Sequence, residues 1–306
     1  MPNTAGLHHV TAIASRGPAN VQFYTELLGM RMVKKTVNFD VPDTWHLYYG
    51  DESGSPGSAM TFFLWPDLPP AREGNGVTRI TRFAVPPGSL SDWETRLTGN
   101  GTPFETVTRF GETQLHFQDP DGMRVALVER GLDTGPVGTP GIYGFDGVEL
   151  QVADAAPTAE LLESMGYTKD QSEGSRIRYR SAGKPGDTGQ FVELDVRPDA
   201  PGSRQGIGAV HHIAFRAADE AAQSEFRHLA DKAGLNPSPV MDRSYFRSIY
   251  FREPNGILFE VATNGPGFTV DEPLETLGQS VKLPPQLESA RSLIESRLPP
   301  LRNETK

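Results

Sequence analysis

Leu7–Ala14 reads LHHVTAIA and Val210–Ala217 reads VHHIAFRA. A second match joins Phe117–Leu127 (FQDPDGMRVAL) to Phe251–Val261 (FREPNGILFEV). The two matches link different quarters of the chain, so the repeating unit is shorter than a half, and an internal repeat of this kind governs the whole fold. Each quarter reads in the same order: a β-like run, a helix that stops near glycine, then short strands. The first unit opens with Leu7–Ala14, followed by a helix over Pro18–Leu28 ending at Gly29. In the second, Arg79–Val85 precedes Leu90–Leu97, with Ser89 placed to cap it. The third runs from Val148–Val152 through Pro157–Met165, with Gly166 as its stop, and the fourth from Val210–Arg216 through Asp219–Ala233, stopped by Gly234. Met60–Leu64, Arg124–Val128, Gln190–Val196 and Ile257–Thr263 close the four units as strands.

The pattern predicts an α+β protein of four βαβββ modules forming two tandem domains with curved mixed sheets, plus a C-terminal tail. The densest Gly/Pro stretch, Gly131–Gly141, sets the boundaries: residues 1–140 form an N-terminal domain, 141–270 a C-terminal domain and 271–306 the tail. Leu287, Ala290, Leu293, Ile294 and Leu298 give that tail a short amphipathic helix expected to pack on the body. Gly 32 and Pro 26 are then the turns of the repeat.

With 306 residues, 37% hydrophobic and 22% charged, the composition is that of a globular protein. The net charge of −10 argues against nucleic acid and anionic membrane as partners. No apolar run approaches the roughly 20 residues that a membrane helix needs, and MPNTAGLHHV carries no signal-peptide pattern, so a cytoplasmic protein is expected. A homo-oligomer is compatible with all of this.

Zero cysteines leave His, Asp and Glu as the metal ligands available. Of seven histidines, four form two adjacent pairs, His8-His9 and His211-His212, at the same place in a unit and in apolar strands. Glu260 lies in the apolar strand Ile257–Val261, where an unpaired carboxylate is costly to bury and a metal would compensate it. The second unit has Arg82 at the His212 position and Ala126 at the Glu260 position, and the third has Gly147 at that His position, so the ligand types leave those units together. Two imidazoles and one carboxylate on one face of a metal suit non-haem Fe(II), and also Mn(II) or Zn(II). Neighbours in a flat strand face opposite sides, so only one histidine of each pair should reach a given metal, and spacing does not say which.

The repeat, with LHHVT, VHHIAF and Leu258–Glu260 (LFE), resembles the vicinal oxygen chelate superfamily of glyoxalases and extradiol dioxygenases. More narrowly, with His46–Tyr49 (HLYY), Thr108–Gly111 (TRFG) and Phe268–Asp271 (FTVD), residues 5–270 resemble the dioxygenases that open para-hydroquinones. The resemblance implies two tandem glyoxalase-like domains, with His9, His212 and Glu260 as ligands of Fe(II). It also implies a pocket built by the first and last units, and catalytic roles around the metal for His8, Thr11, His211, Arg243 and Tyr250. The expected reaction is the opening of a hydroquinone-like or related dihydroxylated ring with O2, so the partners are a small aromatic diol and O2. His8 or His211 would move the proton, Tyr250 would donate a hydrogen bond and Arg243 would hold developing negative charge. Alternation turns His8 and His211 away from the metal, so a bulge near each pair is required. His46, His116 and His228 read as structural residues. The alternatives are a glyoxalase-like isomerase or metal-dependent thiol transferase, which share the scaffold, and a small-molecule binding or resistance module, which characteristically lacks the ligand set.

Overall fold

The computed structural model describes residues 2–132, 135–138, 140–184 and 186–302. The connection expected at Gly131–Gly141 lies partly outside them. The first unit is built of β1 (Leu7–Ala14), α1 (Gly17–Gln22) continued by a π-helical turn (Phe23–Leu27), β2 (Arg31–Val37), β3 (Trp45–Gly50) and β4 (Ala59–Leu64). The second contains β5 (Val77–Val85), α2 (Leu90–Gly99), β6 (Phe104–Arg109), β7 (Glu112–Gln118) and β8 (Arg124–Glu129). After a two-stranded ribbon, β9 (Val137–Gly138) and β10 (Gly141–Ile142), come β11 (Gly144–Val152), α3 (Ala156–Ser164), β12 (Thr168–Glu173), β13 (Arg176–Arg180) and β14 (Phe191–Val196). The fourth has β15 (Val210–Ala217), α4 (Glu220–Lys232), β16 (Met241–Asp242), β17 (Phe246–Arg252) and β18 (Leu258–Pro266).

These strands form two eight-stranded mixed sheets. One has the order β16-β17-β18-β15-β1-β4-β3-β2 and the other β12-β13-β14-β11-β5-β8-β7-β6. Units 1 and 4 therefore share one sheet, and units 2 and 3 share the other. At each centre two opening strands run antiparallel, β1 with β15 and β5 with β11, flanked by parallel pairs such as β1–β4 and β15–β18. The sequence halves are tied in a second way. Tyr24, in the helical segment of unit 1, donates through its hydroxyl to Asp119 in the turn of unit 2 at 3.2 Å, and Thr158 on α3 donates to Glu253 in the turn of unit 4 at 2.5 Å.

Alternation divides the residues of the first sheet. Val10, Ala12, Leu47, Tyr49, Met60, Phe62, Ile213 and Phe215 join the apolar cluster that also takes Tyr24, Phe226 and Ala230 from the helical layer. His9, Thr11, His46, Tyr48, Thr61, Phe63, His212, Tyr250 and Glu260 take the alternate positions. The fourth helix begins as expected, with Asp219 Oδ1 accepting from the Ala222 amide at 2.8 Å. Ser89 does not cap α2 with its side chain: its hydroxyl donates to the Pro86 carbonyl instead.

The tail continues past β18 as a strap. Lys34, fully buried on β2, is held by Asp271 at 2.6 Å, Glu272 at 2.5 Å and the Phe268 carbonyl at 3.1 Å, so the buried ammonium is neutralised by carboxylates from the strap. The amphipathic helix is shorter than its pattern. A 3₁₀ turn covers Pro285–Ala290, α5 spans Arg291–Arg297, and Ile294 packs with Val37 and Leu283 while Leu293 stays 54% exposed. Among the described residues, no helix is long and apolar enough to cross a membrane.

Candidate metal centre

The antiparallel pairing of β1 with β15 slips twice. Leu7 pairs with Phe215 and His9 with Ala214, so His8 is passed over; Thr11 pairs with His212 and Ala12 with Val210, so His211 is passed over. Each histidine pair thus carries its own bulge, which relieves the strict alternation of a flat strand. As a result His8 Nδ1 lies 3.0 Å from His9 Nδ1, and His211 Nδ1 lies 2.8 Å from His212 Nδ1.

The second histidine of each pair turns its Nε2 inward. His9 Nε2 and His212 Nε2 are 3.3 Å apart, and Glu260 Oε2 lies 3.3 Å from the first and 2.9 Å from the second. All three residues are buried. Among the described residues this is the one cluster of His, Asp and Glu side chains whose ligand atoms converge for a metal. The donor set passes a physical test. Glu260 Oε1 accepts from the Ser248 hydroxyl, whereas Oε2 has no hydrogen-bond partner among the described residues, so a buried charged oxygen awaits a cation. Burial opposes ionisation of Glu260, but the facing imidazoles outweigh it and hold the carboxyl well below its ordinary range. His212 is lowered, chiefly by burial, which favours the neutral ring that can bind a metal.

A cavity of about 360 Å³ opens onto this cluster, walled by Phe63, Trp65, Phe246 and Leu258. Arg243 and Tyr250 line it: the Arg243 Nε donates to the Tyr250 hydroxyl oxygen at 3.1 Å, and the guanidinium also meets Asp40 at 3.2 Å. Burial and the Glu260 charge raise Tyr250 above the ordinary phenol range, so it is a neutral donor. His211 reaches the same cavity, pushed down to about 3, chiefly by burial. His8 does not. Its ring sits behind His9 and borders a separate cavity of about 150 Å³. Thr11 is fully buried off the cavity and bonds Thr61 at 2.7 Å.

His46, read from the sequence as structural, lines the cavity beside Tyr48. Sequence reasoning also passed over Ser248, Asp40, Phe63 and Trp65. The signal for His46 and Tyr48 was present as alternation in HLYY, which puts both on the face opposite Leu47 and Tyr49. His116 lies in the other sheet, against Gln114 at 2.9 Å, and His228 lies on α4.

The second sheet lacks the paired imidazoles but, against the expectation that the ligand types leave units two and three together, unit three keeps a carboxylate. Glu193, the third residue of β14 as Glu260 is of β18, meets the guanidinium of Arg82 and lies 2.9 Å from Arg178. Arg82 also bonds Asp146 at 2.9 Å. Gly147 makes the space: a Cβ there would stand 2.8 Å from the Arg82 guanidinium. A permanent organic cation thus satisfies the buried carboxylate where the first sheet converges two imidazoles.

Two mixed sheets of this topology, one of them carrying a buried His/His/Glu cluster, define a protein of the glyoxalase fold with a candidate metal site. Residues 6–127 match the Glyoxalase/Bleomycin resistance protein/Dioxygenase superfamily. The chain is 42% identical to MhqO of Bacillus subtilis, provisionally named a ring-cleaving dioxygenase, over 97% of this chain and 96% of that one. It is 33% identical to the chlorohydroquinone/hydroquinone 1,2-dioxygenase of Sphingobium indicum, over 94% and 93%. The crystal structure of a provisionally assigned dioxygenase from Bacillus subtilis superimposes with a TM-score of 0.94 at 42% identity, covering 98% of each chain. Glyoxalase I from Zea mays shares the fold at a TM-score of 0.64 and 18% identity, over 85% of this chain and 92% of that one. The chain belongs to this superfamily and, within it, to the ring-cleaving dioxygenases.

Proposed function

We propose that the protein is an Fe(II)-dependent dioxygenase that opens a hydroquinone-like aromatic ring with O2, with His9, His212 and Glu260 as the iron ligands. The observation that carries this reading is the unpartnered Glu260 oxygen facing two imidazole nitrogens at the floor of a cavity with aromatic walls. When bound, the iron supplies the one-electron chemistry through which a closed-shell aromatic ring and O2 can react; Mn(II) or Zn(II) suits the same donors.

The rest falls to the chain. Phe63, Trp65 and Phe246 exclude water and take the ring between apolar surfaces. A para-diol can bring only one of its oxygens to the centre, so its orientation must come from the protein. Tyr250 offers a neutral hydroxyl, fixed by Arg243, and Arg243 places positive charge where negative charge collects on the substrate. With His212 Nε2 turned inward, its Nδ1–H donates to His211 Nδ1, which leaves the His211 hydrogen on Nε2. His211 then enters the cavity as a neutral ring whose Nε2–H can hold a substrate oxygen by a hydrogen bond, a positioning role in place of the proton transfer that the resemblance implied. His8 does for His9 what His211 does for His212, from behind. We assign Thr11 an indirect role through Thr61. We also propose the division at 140/141 and 270/271, with the first half supplying His9 and the second His212 and Glu260.

Anaerobic loading with Fe(II), followed by oxygen uptake on a panel of substituted hydroquinones and catechols, tests the reading. Uptake with hydroquinones is expected. No uptake on any diol would overturn the dioxygenase assignment, and a strong preference for catechols would overturn the para-diol assignment.

A further inference from the structure

Three buried side chains and the half-buried His46 lead away from the cavity in an unbroken line. The Tyr48 hydroxyl lies 2.9 Å from His46 Nδ1, His46 Nε2 lies 3.0 Å from Thr61 Oγ1, and Thr61 Oγ1 lies 2.7 Å from Thr11 Oγ1. Tyr48 and His46 line the cavity; Thr61 and Thr11 are fully buried behind it. Every link joins groups that can both donate and accept. The line therefore has two complete sets of donors. In one, Tyr48 donates to His46, His46 Nε2–H to Thr61 and Thr61 to Thr11, which leaves the Tyr48 oxygen free to accept from a ligand. In the other, Thr11 donates to Thr61, Thr61 to His46 Nε2 and His46 Nδ1–H to Tyr48, which turns the Tyr48 O–H toward the ligand. The two sets hold the same number of hydrogens and carry no charge; they differ in the tautomer of His46 and the rotation of the three hydroxyls, and His46 exchanges tautomer through water in the open cavity before the ring binds. Burial first, then the facing groups, lowers His46 well below its ordinary range and raises Tyr48 well above it, so both stay neutral.

We propose that Tyr48 is the anchor for the distal oxygen of a para-oxygenated ring, and that His46, Thr61 and Thr11 are positioning residues that let it act as acceptor or donor. This rests on the aromatic-diol reading above and says how the end of the ring remote from the centre is recognised. A ring bearing O–H and a ring bearing an acceptor-only oxygen are both taken, and a ring with no para oxygen leaves Tyr48 unpaired. Thr11 thereby acts on the cavity without lining it.

The test is the affinity of the Zn(II)-loaded protein for hydroquinone, 4-methoxyphenol and phenol, read by fluorescence of Trp65 in the cavity wall. In the wild type, hydroquinone and 4-methoxyphenol should each bind about tenfold more tightly than phenol. Thr61→Val keeps the shape and cuts the line; it should bring the three affinities together, and Thr61→Ser should restore the difference. An unchanged hydroquinone-to-phenol ratio in Thr61→Val, with Tm within a few degrees of wild type, would overturn the proposal. So would failure of Thr61→Ser to restore the ratio. Oxygen uptake by the Fe(II) wild type is measured alongside: uptake with an unchanged ratio refutes the line alone, while the ratio decides the line even if no diol is consumed.

Discussion

His8 Nδ1 and His9 Nδ1 stand 3.0 Å apart although the two residues are neighbours in one strand, because the pairing of β1 with β15 skips His8. With a metal on His9 Nε2, the contact would hold the hydrogen of His9 on Nδ1 with His8 as its acceptor. The same relation holds between His211 and His212 at 2.8 Å. Replacing His8 by Leu removes this acceptor while preserving apolar packing against Phe246. Metal affinity should fall about 10–100-fold, as for other groups that orient a metal ligand. Metal titration of folded His8→Leu checks this, and unchanged affinity would show that the contact does not orient His9.

Glu260 carries the second prediction. Metal bound at the His9–His212–Glu260 cluster should stabilise the native state by about 2.7 kcal/mol when its free concentration is a hundredfold above Kd. Chelation should lower Tm in the wild type and leave Tm unmoved in Glu260→Gln. A chelator-sensitive Tm and stoichiometric metal in Glu260→Gln, His9→Ala or His212→Ala would remove that residue from the ligand set.

Tyr250→Phe deletes a hydroxyl that touches Arg243 and none of the three candidate ligands. Metal content should match the wild type, and kcat should fall about tenfold to a hundredfold with KM little changed, the mark of an interaction made in the transition state. Steady-state oxygen uptake separates the two constants; a loss confined to KM would make Tyr250 a binding residue only.

Arg82 is fully buried between Glu193 and Asp146 in the second sheet. Arg82→Met fills much of the same volume but leaves both carboxylates without that cation. Denaturant unfolding should show a loss of about 3–5 kcal/mol. Metal retention should be unaffected, since the cluster lies in the other sheet, and coincident loss of metal would show that the two sheets are coupled.

Acid should destabilise the fold in part through a buried histidine of the second sheet. Burial pushes His116 down to about 4 from the ordinary imidazole value of about 6.5, so the folded state binds this proton less well than the unfolded chain. The contribution of a neutral His116 is complete above pH 6.5 and is lost as pH falls from there toward 4, to a limit of about 3 kcal/mol. His116→Gln, which keeps a donor for Gln114, should flatten that limb in unfolding measured between pH 7 and 4. An unaltered slope would place the acid sensitivity elsewhere.

The sequence by itself determined the repeated unit, because helix stops at Gly166 and Gly234, Pro/Gly turns and alternating strands are local consequences of backbone sterics and burial. It also singled out the two histidine pairs and Glu260, because imidazole and carboxylate in apolar strands demand a compensating partner. It did not show which units share a sheet, since pairing unit 1 with unit 4 depends on contacts some 200 residues apart that leave no local trace. Nor could it turn His9 inward and His8 behind it: strict alternation puts them on opposite faces, and only the slips in the β1–β15 register bring their rings together. His46 and Tyr48 carried an alternation signal but gained meaning only from Thr61 and Thr11, which reach them across neighbouring strands. Local propensity fixed the elements; strand register, set by burying one face of each sheet, decided which atoms meet at the centre.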